Sequence, residues 1–278
     1  MRAICLTMLV PALLWTRLAC AQEAAGEVPT ANPARPTVAT PATLTPVGYL
    51  QFENGVIYAD TSPEVLQQFG INQVTKLTVL PRLEVLGLFE PYVYSRRVSG
   101  GGLAGSQPGV VLGGAQAVVL KGEGAKPTVS LSYLRTFYLG RAPDLDIGSA
   151  KQSALVLVSD DLAGFHFDLN RIFGEETQDA LRRAQYGQAL SISHSAGPFV
   201  IDGELWHFTQ PLIRGNCVGN IWALSYSARK NLVIDAGFDL GLTSSSTQWG
   251  SFAGFTYLLP HRLWRSHSQH KGAAPPAA

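Results

Sequence analysis

Charge is scarce in this 278-residue chain: 15% of its residues are Asp, Glu, Lys or Arg, and 21 basic side chains nearly cancel 20 acidic ones. No global field therefore draws it to nucleic acid or to an acidic surface. Cysteine is scarcer, with three residues, of which Cys5 and Cys20 fall in an N-terminal export segment. The mature chain keeps only Cys217, so an internal disulfide is excluded and stability must come from burial and hydrogen bonding. Also missing is any apolar run approaching the roughly 20 residues that a membrane-crossing helix needs. In contrast, 46% of residues are hydrophobic and 28 are glycine, which excludes disorder for most of the chain and leans towards an all-β protein.

Residues 1–21 read as a signal peptide: Arg2 precedes an apolar run from Ala3 to about Trp15, and Ala19-Cys20-Ala21 suits cleavage before Gln22. Arg17 stands where a lipobox wants an aliphatic residue, which argues against lipidation at Cys20. Residues 22–45, rich in Ala, Pro and Thr and without apolar periodicity, read as a flexible leader. Residues 46–260 form the domain, and 261–278, basic and then Ala/Pro-rich, read as a disordered tail.

Within the domain, runs of about ten residues with period-two alternation recur between turn residues, at 47–59, 72–80, 83–93, 111–120, 127–139, 152–159, 164–173, 185–194, 199–209, 219–228, 231–243 and 247–259. That length suits a tilted membrane-crossing strand better than a strand of a soluble sheet. Tight connections (Pro81-Arg82, 121–126, 160–164, 195–198, 228–231) alternate with longer ones (60–71, 94–109, 140–151, 174–184, 210–219), as in bacterial outer-membrane barrels. Two of the longer links carry helical signals: Ser62-Pro63-Glu64 ahead of "EVLQQF", and "EETQDALRRA" with acids early and arginines late. The fold class expected is a single antiparallel up-and-down transmembrane β-barrel of about 12 strands.

In "NLVIDAGFDLGLT", Ile234, Ala236, Phe238 and Leu240 share one face, whereas Asp235, Gly237, Asp239 and Gly241 share the other. Lipid offers no hydrogen bonds, so the apolar face belongs outside and the polar face against the lumen. The same reasoning assigns Gln51, Glu53, Lys76, Glu84, His166, Asp168, Asn170, Asp202 and Glu204 to the lumen beside Asp235 and Asp239. Arg135 conflicts with it, sharing the apolar face of Leu131, Tyr133 and Phe137. A lipid-facing arginine at the midplane costs about 2–4 kcal/mol, so Arg135 either lies near an interface or follows a bulge and joins the lumen's cations. "GGAQAVVL" and "SALVLVS" are apolar on both faces.

The hairpin "VIDAGFDLGLT"/"TQWGSFAGFTYLL", with "VTKLTVLPRLEVLGLFEP" and "DGELW", resembles the outer-membrane transporter family named after the MetA pathway of phenol degradation. The resemblance spans about 47–259 and implies a dozen-stranded barrel passing small, aromatic or hydrophobic, molecules. Gly254, Tyr257 and Leu259 also look like the terminal insertion signal read by barrel-assembly machinery, although further residues follow.

Catalysis lacks a frame. Ser191, Ser193, His194 and His207 are hairpin neighbours without G-x-S-x-G, so a lipase or deacylase reading has no nucleophile setting. His166 and Asp168 share a face but bring no third metal ligand, and Cys217 has no adjacent histidine. Neither metal nor cofactor is expected. The reading is a passive channel or transporter for small solutes, in contact with outer-membrane lipid. Its alternatives are a structural or adhesive barrel and a soluble periplasmic lipid-binding β protein. An open lumen and one plugged by its own paired side chains remain equally open.

Overall fold

The computed structural model describes residues 28–63, 65–97, 105–124, 126–140, 145, 150–178, 181–212 and 215–264. The expected signal peptide lies outside the described residues, as does the tail beyond Trp264. The described residues hold no helix. They form β1 (Leu50–Asp60), β2 (Val65–Leu80), β3 (Leu83–Arg97), β4 (Gly105–Gln107), β5 (Val111–Leu120), β6 (Thr128–Tyr138), β7 (Ala150–Leu162), β8 (Phe165–Gln178), β9 (Leu181–Ala196), β10 (Phe199–Thr209), β11 (Asn216–Arg229), β12 (Leu232–Gly241) and β13 (Trp249–Leu258). All pairings are antiparallel between neighbours, and β1 pairing with β13 closes the ring. β4 is a short addition on the outer end of β3, so the closed barrel has 12 strands.

Tight turns gather at one mouth. Ala163 (φ 54°) and Gly164 (φ 84°) both take positive φ between the paired Leu162 and Phe165, the type I′ geometry that matches strand twist. Both described chain ends lie at this mouth: Ala31 N donates to Lys230 O in the β11–β12 turn, and Leu263 N donates to Gly48 O. His261 to Trp264, expected within a disordered tail, fold back here, with Arg262 Nε donating to Val47 O at 2.9 Å.

At the opposite mouth the strands run further than their alternation suggested. Helical turns were expected in 60–71 and 174–184; the described residues there are strand instead, apart from the link 61–63. β2 begins at Val65, whose side chain is fully buried, and pairs Asp60 with Gln67 and Tyr58 with Phe69. A helix there would leave the end of β1 paired with β13 on one edge but without backbone partners on the other. In "EETQDALRRA" the acid-then-arginine order serves a hairpin: Glu176 lies opposite Arg183, Thr177 opposite Arg182, and Glu175 meets Arg182 at 3.4 Å.

Alternation sets the two faces. Phe137 (71% exposed), Ile201, Leu205 and Trp222 lie on the outer wall, while Glu53 and Asn170 on the inner wall are almost wholly buried. Arg135 stays on the outer face with Leu131, Tyr133 and Phe137. No bulge turns it inward, so it is not one of the lumen's cations; it lies three residues from the loop-end limit of β6.

Candidate functional site: the lumen and the segment that fills it

An eight-stranded barrel is just wide enough for its own side chains to fill, and diameter grows with strand number. Twelve strands leave a wider bore. Here that bore holds neither open water alone nor only paired wall side chains: residues 31–45 of the expected flexible leader lie inside it. The segment enters beside the β11–β12 turn, passes β1, crosses to β10 and β8, reaches β7 and β6, and returns past β3 to start β1.

Four prolines between Val28 and Thr45 remove backbone donors. Seven of those that remain inside the barrel are caught by wall side chains. Asn32 N donates to Gln51 Oε1 at 2.8 Å, and Ala34 N to both Glu53 oxygens at 3.2 Å. Val38 N and Ala39 N donate to the two oxygens of Glu204 at 3.0 and 2.9 Å. Ala42 N donates to Ser159 Oγ at 2.7 Å, and that hydroxyl donates onward to Asp168 Oδ1 at 2.5 Å. Thr45 N and Oγ1 both donate to Glu84 Oε2, at 2.9 and 2.5 Å. Asn170, with its amide turned to suit, gives Nδ2 to Thr40 O at 3.0 Å and accepts Thr40 N at 2.6 Å. Ser130 Oγ and Gln116 Nε2 donate to Ala42 O and Pro41 O. A carboxylate accepting backbone N–H groups is a strong, charge-assisted partner. The inner-wall acids thus act chiefly as acceptors for this segment.

Small side chains let it lie close. Ala39 and Ala42 are fully buried, the first against Trp206, Phe208 and Ile221, the second against Leu155 and Leu157. This accounts for "SALVLVS", apolar on both faces: its outward Val156 and Val158 meet the surroundings, its inward Leu155 and Leu157 meet Ala42. Trp206 also donates Nε1 to Asp239 at 3.0 Å.

Two buried ion pairs complete the arrangement. Lys76 meets Glu53 at 2.5 Å on the wall. Arg35, the leader's one cation, reaches Asp235 at 3.2 Å and donates Nη1 to Asn72 at 3.2 Å. Its guanidinium rests on paired glycines, Gly55 of β1 and Gly254 of β13. A Cβ at Gly254 would come 2.7 Å from Arg35 Nε, and one at Gly55 would collide with the guanidinium. At Gly254 the Cβ would also strike the backbone oxygen of Asn54, whereas at Gly55 only the end of the flexible Arg35 side chain is in the way, so Gly55→Ala is expected to leave the barrel intact while lifting Arg35 from Asp235. Retained heat-modifiable migration on a gel, with faster proteolysis between residues 28 and 45, is the expected readout.

His166 sits at the tight-turn mouth, with Nδ1 2.7 Å from Asp161 and Nε2 3.3 Å from Asp168. Asp202 lies in line with it across β9. No group of three metal-type ligands occurs among the described residues. Of the insertion-signal residues, Gly254 faces Arg35, Tyr257 pairs with Phe52 and Leu232, and Leu259 N donates to Leu50 O. Sequence reasoning missed the segment itself, above all Arg35, together with Asn72, Ser130, Ser159, Trp206 and Phe208. One available signal was the imbalance of a lumen with many acids and few bases, beside a leader with a single arginine.

No family model matches the chain, and neither does the sequence of any curated protein. Among solved structures, it is similar to the COG4313 outer membrane channel from Pseudomonas putida F1, with a TM-score of 0.57 and 12% identity over 77% of this chain and 97% of that one. The anion-selective porin from Comamonas acidovorans (TM-score 0.38, 8% identity) and the beta domain of the Bordetella autotransporter Brka (TM-score 0.41, 13% identity) each cover 76% of this chain, and it covers 98% of each of theirs. At 12% identity the likeness to the Pseudomonas channel is one of fold alone.

Proposed function

We propose that the protein is an outer-membrane channel for small solutes whose N-terminal segment is a resident plug. The observation that carries this reading is the inverted barrel: apolar side chains outside, polar ones inside, and a lumen occupied by a segment held through side-chain contacts. Lipid must bathe the outer wall for Phe137, Ile201 and Trp222 to stand there without large cost. A periplasmic lipid carrier needs the opposite arrangement. The tight-turn mouth with both chain ends faces the periplasm, and the extended strands face outward.

The wall itself is complete without the plug, because every barrel strand pairs on both sides. Displacing the segment therefore need not open the sheet. Aromatic or hydrophobic small molecules are the solute class the family resemblance points to, and the inward Trp206, Phe208, Ile221 and Leu157 offer such solutes contact once residues 38–42 move. Purified protein in planar bilayers and in liposomes tests the reading. Current steps and solute entry are the expected results; a folded, heat-modifiable barrel with neither would favour the structural or adhesive alternative.

A further inference from the structure

Most of the outer wall is apolar, but β6 to β9 carry a polar patch towards the loop mouth. Arg135, Gln152, Arg171, Glu175, Gln188 and Arg182 all stand on the outward face there. Strand register sets Arg135 opposite Gln152 and Arg171 opposite Gln188. Tyr133 Oη donates to Gln152 Oε1 at 2.9 Å, and Gln152 Nε2 donates to Glu175 Oε2 at 2.7 Å. Arg182 meets Glu175 at 3.4 Å, and Arg171 donates to Gln188.

The patch thus holds three guanidinium groups but one carboxylate, which only Arg182 reaches. Among the described residues Arg135 has no ion-pair partner and Arg171 has only a neutral one. Hydrocarbon supplies nothing to either, so cations persist on a lipid-facing wall where headgroups come within reach of a long side chain. The depth fits. Phe173 and Tyr186, packed edge to face at 5.8 Å, lie one outward position beyond Arg171 and Gln188, and Phe137 one beyond Arg135. Such aromatic residues mark the membrane interface.

We infer that this patch binds the phosphate of a phosphorylated glycolipid in the outer leaflet, an inference that rests on the membrane orientation proposed above. The guanidinium fork matches phosphate in a two-pronged bond, and Leu131, Leu169 and Leu190, exposed beneath the arginines, would lie along the acyl chains. A second copy fits worse, because a two-fold contact about this patch sets arginine against arginine.

The test uses the full mature protein, with an acylated disaccharide carrying two phosphates and its phosphate-free counterpart, by native mass spectrometry from mixed micelles. Wild type is expected to retain the phosphorylated form roughly tenfold more strongly. The double variant Arg135→Gln/Arg171→Gln should lose that preference while keeping heat-modifiable migration. Equal retention of both lipids by wild type, or an undiminished preference in the variant, overturns the proposal. Full competition by inorganic phosphate would make this a free-anion site, and a dimer dissolved by the double substitution would make it a subunit contact; either overturns the assignment. A chain that shows no heat-modifiable shift overturns the membrane reading itself, a separate outcome.

Discussion

A chain lacking residues 28–45 is expected to conduct several-fold more current per barrel than the full chain in planar bilayers, with a preference for cations. The barrel should survive the deletion. Its backbone hydrogen bonds run from strand to strand around a closed ring and none of that ladder depends on the segment. The inner groups that lose partners, including Glu53, Glu84, Glu204 and Ser159, become exposed to lumen water, which can satisfy them. Removing Arg35 also leaves the wall with Glu53, Glu84, Asp168, Asp202, Glu204, Asp235 and Asp239 against Lys76 and His166. A ring of acids in a pore favours cations. Unchanged conductance in a folded deletion variant would mean that the segment does not limit passage.

Arg35→Glu is expected to loosen the plug nearly as much without shortening the chain. It places a carboxylate beside Asp235 where the native pair has side-chain exposures of 12% and 2%. Removing one partner of a buried ion pair costs about 3–5 kcal/mol, and a like charge adds to that. The cost falls on the docked segment rather than on the barrel. The predicted signature is raised conductance and proteolysis at residues 28–45, with unchanged migration of the unheated protein. Exchanging the charges, Arg35→Glu with Asp235→Arg, should restore much of the native behaviour. Failure of the exchange to restore anything would point to the glycine cradle rather than to charge, since Gly55 and Gly254 fit a guanidinium lying on the wall from within.

The barrel was legible in the sequence because an inverted barrel imposes a simple rule on its strands, apolar side chains outward and polar ones inward. Phe165, Phe167 and Leu169 against His166, Asp168 and Asn170 is enough to assign both faces, and the structure keeps that division. Strand ends were less legible. Towards the loop mouth, "EVLQQF" loses the strict alternation, and its helical signals compete with pairing to β1, a contact across strands that local reading does not contain. The plug was least legible of all. Its conformation answers to no period of its own, but to acceptors on strands far along the chain, such as Glu204 beneath Val38 and Ala39. Alanine, proline and threonine suit a loose linker and a segment packed into a narrow bore equally well; only the wall distinguishes them.

Thr45, the last plug residue held by the wall, is followed by Pro46 and soon by Leu50, where β1 begins. A cork on so short a leash never diffuses away, and its effective concentration at the empty bore stays in the millimolar range. Openings should therefore be brief, recapture should be independent of protein concentration, and a synthetic copy of residues 28–45 should compete poorly with the attached one. Recorded at high bandwidth, the full chain is expected to show flickering current rather than steady opening.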